Sequence, residues 1–213
     1  MSAVYLVRHG QASFGQADYD VLSPVGEQQS KIVGAELAAR GVRPVSVLSG
    51  TLLRQRRTAE IALASAGLSL ECTADARWNE YDHLGLVTAL VDPLPTDPRH
   101  FQAALDEALL RWATDGGHAG AAGTYADFAA AGTARLAAAE EADSALVFTS
   151  GGVIAALCAG LLGLGPSGLV ALNRVVVNAA ITKVVIGRSG ASLVSFNEHG
   201  HFEGERRELL TYR

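Results

Sequence analysis

Cysteine is scarce in this chain, with only Cys72 and Cys158 among 213 residues. They form neither a CxxC pair nor a disulfide framework, and neither has neighbours at metal-ligand spacing. The sequence therefore predicts two reduced thiols in a cytoplasmic protein. No cofactor is expected. Aromatic residues are also few, at 6% against a hydrophobic fraction of 49%, which leaves the core to Ala, Val, Leu and Ile. Positive charge is not in excess: the formal net charge of -5 argues against nucleic-acid binding, which needs a basic face. The apolar run Ala3 to Val7 is far too short to span a bilayer, and the basic-apolar-small progression of a signal peptide is missing, so no membrane attachment is expected. Internal repeats and low-complexity linkers are absent as well. A chain of this length suits a single domain, residues 1–213, with a full-sized core.

What is present is an alternation of strand and helix. Ala3 to Val7 reads as a strand that stops at Arg8-His9-Gly10. Ser23-Pro24 is a helix start, since serine caps free amides and proline suits the first turn, and the helix runs to about Arg40 before Gly41. Val45 to Leu48 is a second strand, followed by a helix from about Leu52 to Ala66 that Gly67 closes, with Thr51 as its cap. Further helices are expected over Arg99 to Ala113 and Tyr125 to Ala142. Ala145 to Thr149 is a buried strand that turns through Ser150-Gly151-Gly152 into an apolar helix reaching Leu162. Asn178 to Ile186 and Ser192 to Phe196 supply two more strands. This order predicts a three-layer α/β/α fold with a mostly parallel central sheet. Ser69 to Gly123 reads as a helical insertion over the sheet edge that roofs a site.

In an open α/β sheet, ligands bind beyond the carboxyl ends of the strands. Those ends carry Arg8 and His9, Arg54, and Ser150 with Gly151. Histidine can attack phosphorus, and arginine forks match phosphoryl oxygens. Helix-terminal amides after Ser150 favour an anion. Glu80, within Arg77-Trp78-Asn79-Glu80-Tyr81-Asp82, supplies a carboxyl for protonating a leaving alcohol.

The run Leu6-Val7-Arg8-His9-Gly10-Gln11 resembles the Arg-His-Gly signature of the histidine phosphatase superfamily, the phosphoglycerate-mutase-like proteins. Leu22-Ser23-Pro24-Val25-Gly26 resembles that family's Leu-Thr-x-x-Gly segment. Ser49 to Ala59 is similar to its Ser-Ser-Asp-Leu-x-Arg segment, and Val147 to Ile154 to its Val-x-Ser-His-Gly-Gly segment. The resemblance implies His9 as a nucleophile that becomes phosphohistidine, Arg8 and Arg54 as phosphoryl ligands, and Glu80 as proton donor. It implies a small phosphorylated substrate and no metal, because the arginines supply the charge.

Two positions depart from the family pattern. Its second histidine falls on Ser150, and losing such a transition-state donor typically costs about 2.7–4 kcal/mol. Its asparagine near the phosphate falls on Gly15, and Gln11 and Ser13 are the neighbours able to take over a hydrogen bond. His83 is a candidate for the mouth of the site; His199 and His201 are expected on an exposed terminal loop, and His100 and His118 on surface segments. Arg56 and Arg57 are expected at the surface, and Trp78 and Phe14 in the core. Three functions stay open: a phosphomonoester hydrolase of reduced rate, a noncatalytic phospholigand-binding protein, and mutase-type phosphoryl transfer.

Overall fold

The computed structural model describes residues 2–13, 20–116, 124–140 and 144–212. Strand β1, Ser2–Arg8, sits inside the sheet, and strand alternation sends Val4 and Leu6 to one face and Tyr5 and Val7 to the other. Both faces are covered, which is why its sequence is a nearly unbroken apolar run. The other strands are β2 (Ser46–Ser49), β3 (Cys72–Ala74), β4 (Ser144–Thr149), β5 (Ile181–Gly187) and β6 (Gly190–Glu198). Their order across the sheet is β3-β2-β4-β1-β5-β6. The pairs β1–β4, β4–β2 and β2–β3 are parallel. β5 is antiparallel to β1 and β6 antiparallel to β5, so only β5 runs against the rest.

Helices α1 (Pro24–Ala39) and α2 (Leu53–Ala66) cover one face, packing Val33, Leu37, Ala59 and Leu63 on Val7, Val47 and Phe148. On the other face, α5 (Tyr125–Glu140), α6 (Gly151–Leu161) and α7 (Pro166–Val175) pack Leu136, Ile154, Leu157 and Leu169 against the layer of Leu6 and Val147. Above them α3 (His83–Leu90) and α4 (Pro98–Asp115) form a third cluster around Val87, Leu105, Leu109 and Trp112. The expected punctuation is present: Ser23 accepts from the Gly26 amide at 3.1 Å with Pro24 in the first turn, and Gly67 closes α2 at φ +66.

The expected insertion is displaced. Cys72–Ala74 is an edge strand, and Trp78 is fully buried in the sheet-side core, so the roofing segment starts after Trp78. Helix α7 is an element beyond those expected; Pro166 opens it at the position proline favours. Asn178 precedes its strand instead of belonging to it: Ala179 adopts φ +56, and β5 begins at Ile181. Thr51 does not cap α2; its amide and hydroxyl both pair with the Asn79 side chain, at 2.7 and 2.8 Å. Among the described residues no helix is long and apolar enough to cross a membrane. Both cysteines are free, and burial pushes the Cys158 thiol up to about 12.

Candidate active site

The carboxyl ends of β1 and β4 lie side by side, since Arg8 pairs with Thr149. His9 therefore follows β1 directly beside the start of α6. Its backbone is tied down on two sides: its amide donates to the Thr149 carbonyl at 2.9 Å, and its own carbonyl accepts from Asn178 Nδ2 at 3.1 Å. The next turn is packed against α1 without any spacer. A Cβ on Gly10 would lie 2.4 Å from the Gly26 carbonyl oxygen, and a Cβ on Gly26 would lie 2.1 Å from the Gln11 carbonyl oxygen. Only glycine fits at either place.

The His9 ring is buried, with 4% of the residue exposed, and its two nitrogens are distinguished by their partners. Arg54 Nε lies 3.2 Å from Nε2, and a guanidinium only donates, so Nε2 carries the lone pair. Nδ1 then carries the proton and donates to the Gly10 carbonyl at 2.7 Å. Burial, reinforced by the charges of Arg54 and Arg8, holds the ring well below the ordinary imidazole range. A neutral ring with Nε2 unprotonated is the form able to attack phosphorus.

Arg54 is positioned by a residue that no motif in the chain singles out. Asp20 accepts from Arg54 Nη1 at 2.6 Å and from the Leu53 amide at 2.7 Å. One carboxylate thus orients the guanidinium and occupies the open amide end of α2, where negative charge is favoured. Asp20 stands 34 residues before Arg54, and no local pattern links them. Arg8 is held from the other end of the chain, its Nη1 donating to the Val176 carbonyl and, at 2.7 Å, to the Tyr212 carbonyl.

Glu80 reaches the cavity from the segment after Trp78. Its carboxyl accepts from the Gly152 amide at 3.0 Å and the Tyr81 amide at 3.2 Å. Burial raises its pKa above the ordinary carboxylate range, outweighing the backbone donors and the two arginines. Gly152 makes this contact possible, because a Cβ there would sit 2.2 Å from Glu80 Oε1 and 2.0 Å from Tyr81 Cε1.

Arg8, His9, Arg54, Glu80 and Gly151 all line one cavity of about 110 Å³. His83 lines it too, as the sequence suggested, beneath a roof that includes Phe101 and Leu105 from α4 and Asn173 and Arg174 from α7. Arg174 and Asn173 were not anticipated, because the helix that carries them was not. Ser150 does not reach the cavity wall. It is fully buried, and its hydroxyl accepts from Gln55 Nε2 at 2.8 Å. Gln11 and Ser13 also stay outside the lining: the Gln11 side-chain oxygen accepts from the Ser23 hydroxyl, and the Ser13 amide donates to the Val21 carbonyl.

His201 is not on an exposed loop. It is 8% exposed, its Nε2 lies 3.0 Å from the Ala179 carbonyl, and burial lowers its pKa; no local pattern marks the short helical turn after β6 as packing inward. His100 is exposed beside Asp97 as expected, and Arg57 is a surface residue pairing with Glu27 and Glu60. Phe14, Gly15 and His118 lie outside the described residues. Among the described residues no three His, Cys, Asp or Glu side chains gather as a metal site.

The sequence model of the histidine phosphatase superfamily (branch 1) matches residues 4–199, nearly the whole chain and every cavity element named except Tyr212. The chain belongs to the histidine phosphatase superfamily. Among curated relatives, a 2,3-bisphosphoglycerate-dependent phosphoglycerate mutase of Thermobifida fusca is 43% identical over 75 residues, which is 32% of this chain and 30% of the relative. A probable phosphoglycerate mutase GpmB of Citrobacter koseri is 35% identical over 112 residues, or 49% of this chain and 50% of the relative. The matches thus span half or less of these relatives' lengths. Among solved structures, a mycobacterial glucosyl-3-phosphoglycerate phosphatase superposes with a TM-score of 0.65 at 24% identity, covering 93% of this chain and 100% of that one. A phosphoserine phosphatase from Entamoeba histolytica gives 0.68 at 20% identity, covering 94% and 99%. At those identities the likeness is one of fold.

Proposed function

We propose that this protein is a metal-independent phosphomonoester hydrolase acting on a small phosphorylated substrate through a phosphohistidine at His9. The observation that carries the reading is the shared wall of one cavity: a neutral His9 presenting Nε2, two arginines, and a Glu80 whose carboxyl is held toward its protonated form. In the first step Nε2 bonds to phosphorus as the ester P–O bond breaks, and the Glu80 proton passes to the departing alkoxide oxygen. The ring becomes a phosphorylated imidazolium whose Nδ1–H still donates to Gly10. In the second step water attacks phosphorus, the P–N bond breaks, and Glu80 takes the water proton. Arg8 and Arg54 offset charge on the phosphoryl oxygens throughout.

Ser150 supports a lower rate than a second imidazole would allow, because it stands outside the cavity lining, where its hydroxyl oxygen accepts from Gln55. That same placement favours a second reading, a phospholigand-binding protein without turnover. A mutase would also have to keep water from the phosphohistidine, and the short roofing segment argues less for that than for hydrolysis.

The deciding experiment is hydrolysis of p-nitrophenyl phosphate by the wild type and His9→Ala, at acidic and neutral pH. Release that disappears in the variant is the expected result. Phosphate binding with no release from any of a panel of phosphomonoesters would favour the binding protein. Ser150→His is expected to raise turnover about a hundredfold, the worth of one transition-state donor. An unchanged rate would mean that another group in the cavity already supplies the donor.

A further inference from the structure

Four side-chain hydrogen bonds close a ring around the nucleophile segment. The Gln11 amide donates to Gln29 Oε1 at 2.8 Å, and Gln29 Nε2 donates to Thr211 Oγ1 at 2.8 Å. The Thr211 hydroxyl donates to Asn178 Oδ1 at 3.0 Å, and Asn178 Nδ2 donates to the His9 carbonyl at 3.1 Å. The ring therefore begins at Gln11 and ends at His9, gripping the backbone on both sides of Gly10. Each polar atom is used in its proper sense: the threonine hydroxyl accepts once and donates once, and each amide uses its oxygen and its nitrogen. Gln29 and Asn178 are fully buried, where unsatisfied amides would be costly.

Thr211 is the residue on which the ring depends from outside the catalytic core. Its carbonyl also accepts from the Asn178 amide at 2.9 Å, and Gln29 Nε2 makes a second bond to the Leu209 carbonyl at 2.7 Å. These bonds fix the segment Leu209 to Tyr212 against the site, and the next carbonyl, that of Tyr212, is the one Arg8 Nη1 holds. The same short stretch thus steadies the nucleophile's backbone and one of the two phosphoryl-binding guanidinium groups.

We propose that Thr211 is a positioning residue: its hydroxyl, bridging Gln29 and Asn178, holds His9 and Arg8 in the arrangement that phosphoryl transfer needs. The inference rests on the hydrolase reading for its consequence in turnover, but not for its consequence in binding. A trigonal-bipyramidal oxyanion demands the joint placement of Nε2 and both arginines, whereas a tetrahedral phosphate is satisfied by the arginines alone.

The test compares binding of orthovanadate and inorganic phosphate to the wild type, Thr211→Val, Thr211→Ala and Thr211→Ser, with thermal midpoints recorded for each. Thr211→Val is expected to weaken vanadate about ten- to a hundredfold, the scale set by a small misplacement of reacting groups. Phosphate affinity should change far less, and Thr211→Ser should restore vanadate binding. Where turnover is measurable, kcat should fall with little change in KM. The alanine variant is read in the same way, so one poorly folded protein does not decide the matter. Equal loss of both oxyanions in a folded variant, or no loss of either, would overturn the role. A wild type that binds both oxyanions and releases no phosphate from esters would instead refute the hydrolase reading and leave the binding comparison intact.

Discussion

At the scale of single residues, burial draws the two titrating groups of the cavity toward one another. His9 is held below its ordinary range and Glu80 above its own. The working form has His9 neutral and Glu80 protonated, so it is lost as pH falls through the lowered His9 value and as pH rises through the raised Glu80 value. Hydrolysis of alkyl phosphates, which need the acid, is expected to peak between these limits. Glu80→Gln should lose the alkaline limb and about 10²–10⁴-fold in rate on alkyl esters, with far less effect on p-nitrophenyl phosphate. Equal loss on both substrates, measured as kcat/KM against pH, would remove Glu80 from the acid role. That Arg8, His9, Arg54 and Glu80 would meet in one cavity was legible from sequence, because each sits in a short run at or near a strand end. Asp20, which orients Arg54, and Arg174 and Tyr212, which line the cavity, were not, since each takes its place through contacts that no local spacing records.

Among the elements, the contact between α4 and α7 has the most bearing on the substrate. The nearly buried carboxylate of Asp106 on α4 accepts from Gln102 at 2.6 Å and from Arg174 Nε on α7 at 2.7 Å. Gln102 and Arg174 both line the cavity, so this chain of bonds forms part of its roof. Asp106→Ala should cost about 1–2 kcal/mol in urea denaturation, a modest loss because Arg174 is more than half exposed and can rehydrate. It should raise KM for physiological-sized esters and leave kcat nearly as it was, the pattern of lost ground-state binding. Loss confined to kcat would place the bridge in the chemical step instead. The element pattern was readable where caps and periodicity agree, as in α1 and α2. It failed at α7 and β3, where a glycine-proline turn hid a helix start and three residues were too few to announce a strand.

For the whole molecule, the roof and the sheet should fold as one unit. Trp78 lies in the sheet-side core and Trp112 in the roof, where it packs edge-on to Tyr125 with centroids 5.4 Å apart. Tyr125 and Phe128 of α5 pack against both clusters. Trp78→Phe and Trp112→Phe each leave one fluorescent reporter, and each should unfold at the same denaturant midpoint by fluorescence as by far-UV circular dichroism. A lower midpoint for the Trp112 signal than for the circular dichroism would show a roof that opens separately. A different consequence follows from Gly10 and Gly26, where the turn after His9 and α1 press backbone on backbone and no Cβ fits. Neither can shrink to accommodate a change in the other, so drift at this contact has no compensating partner. The roof carries no such constraint, since its side chains can trade volume with their neighbours. A lineage can therefore exchange substrates by altering α4 and α7 while the loop that bears the nucleophile stays as it is, and inheritance of the reaction is uncoupled from inheritance of its target.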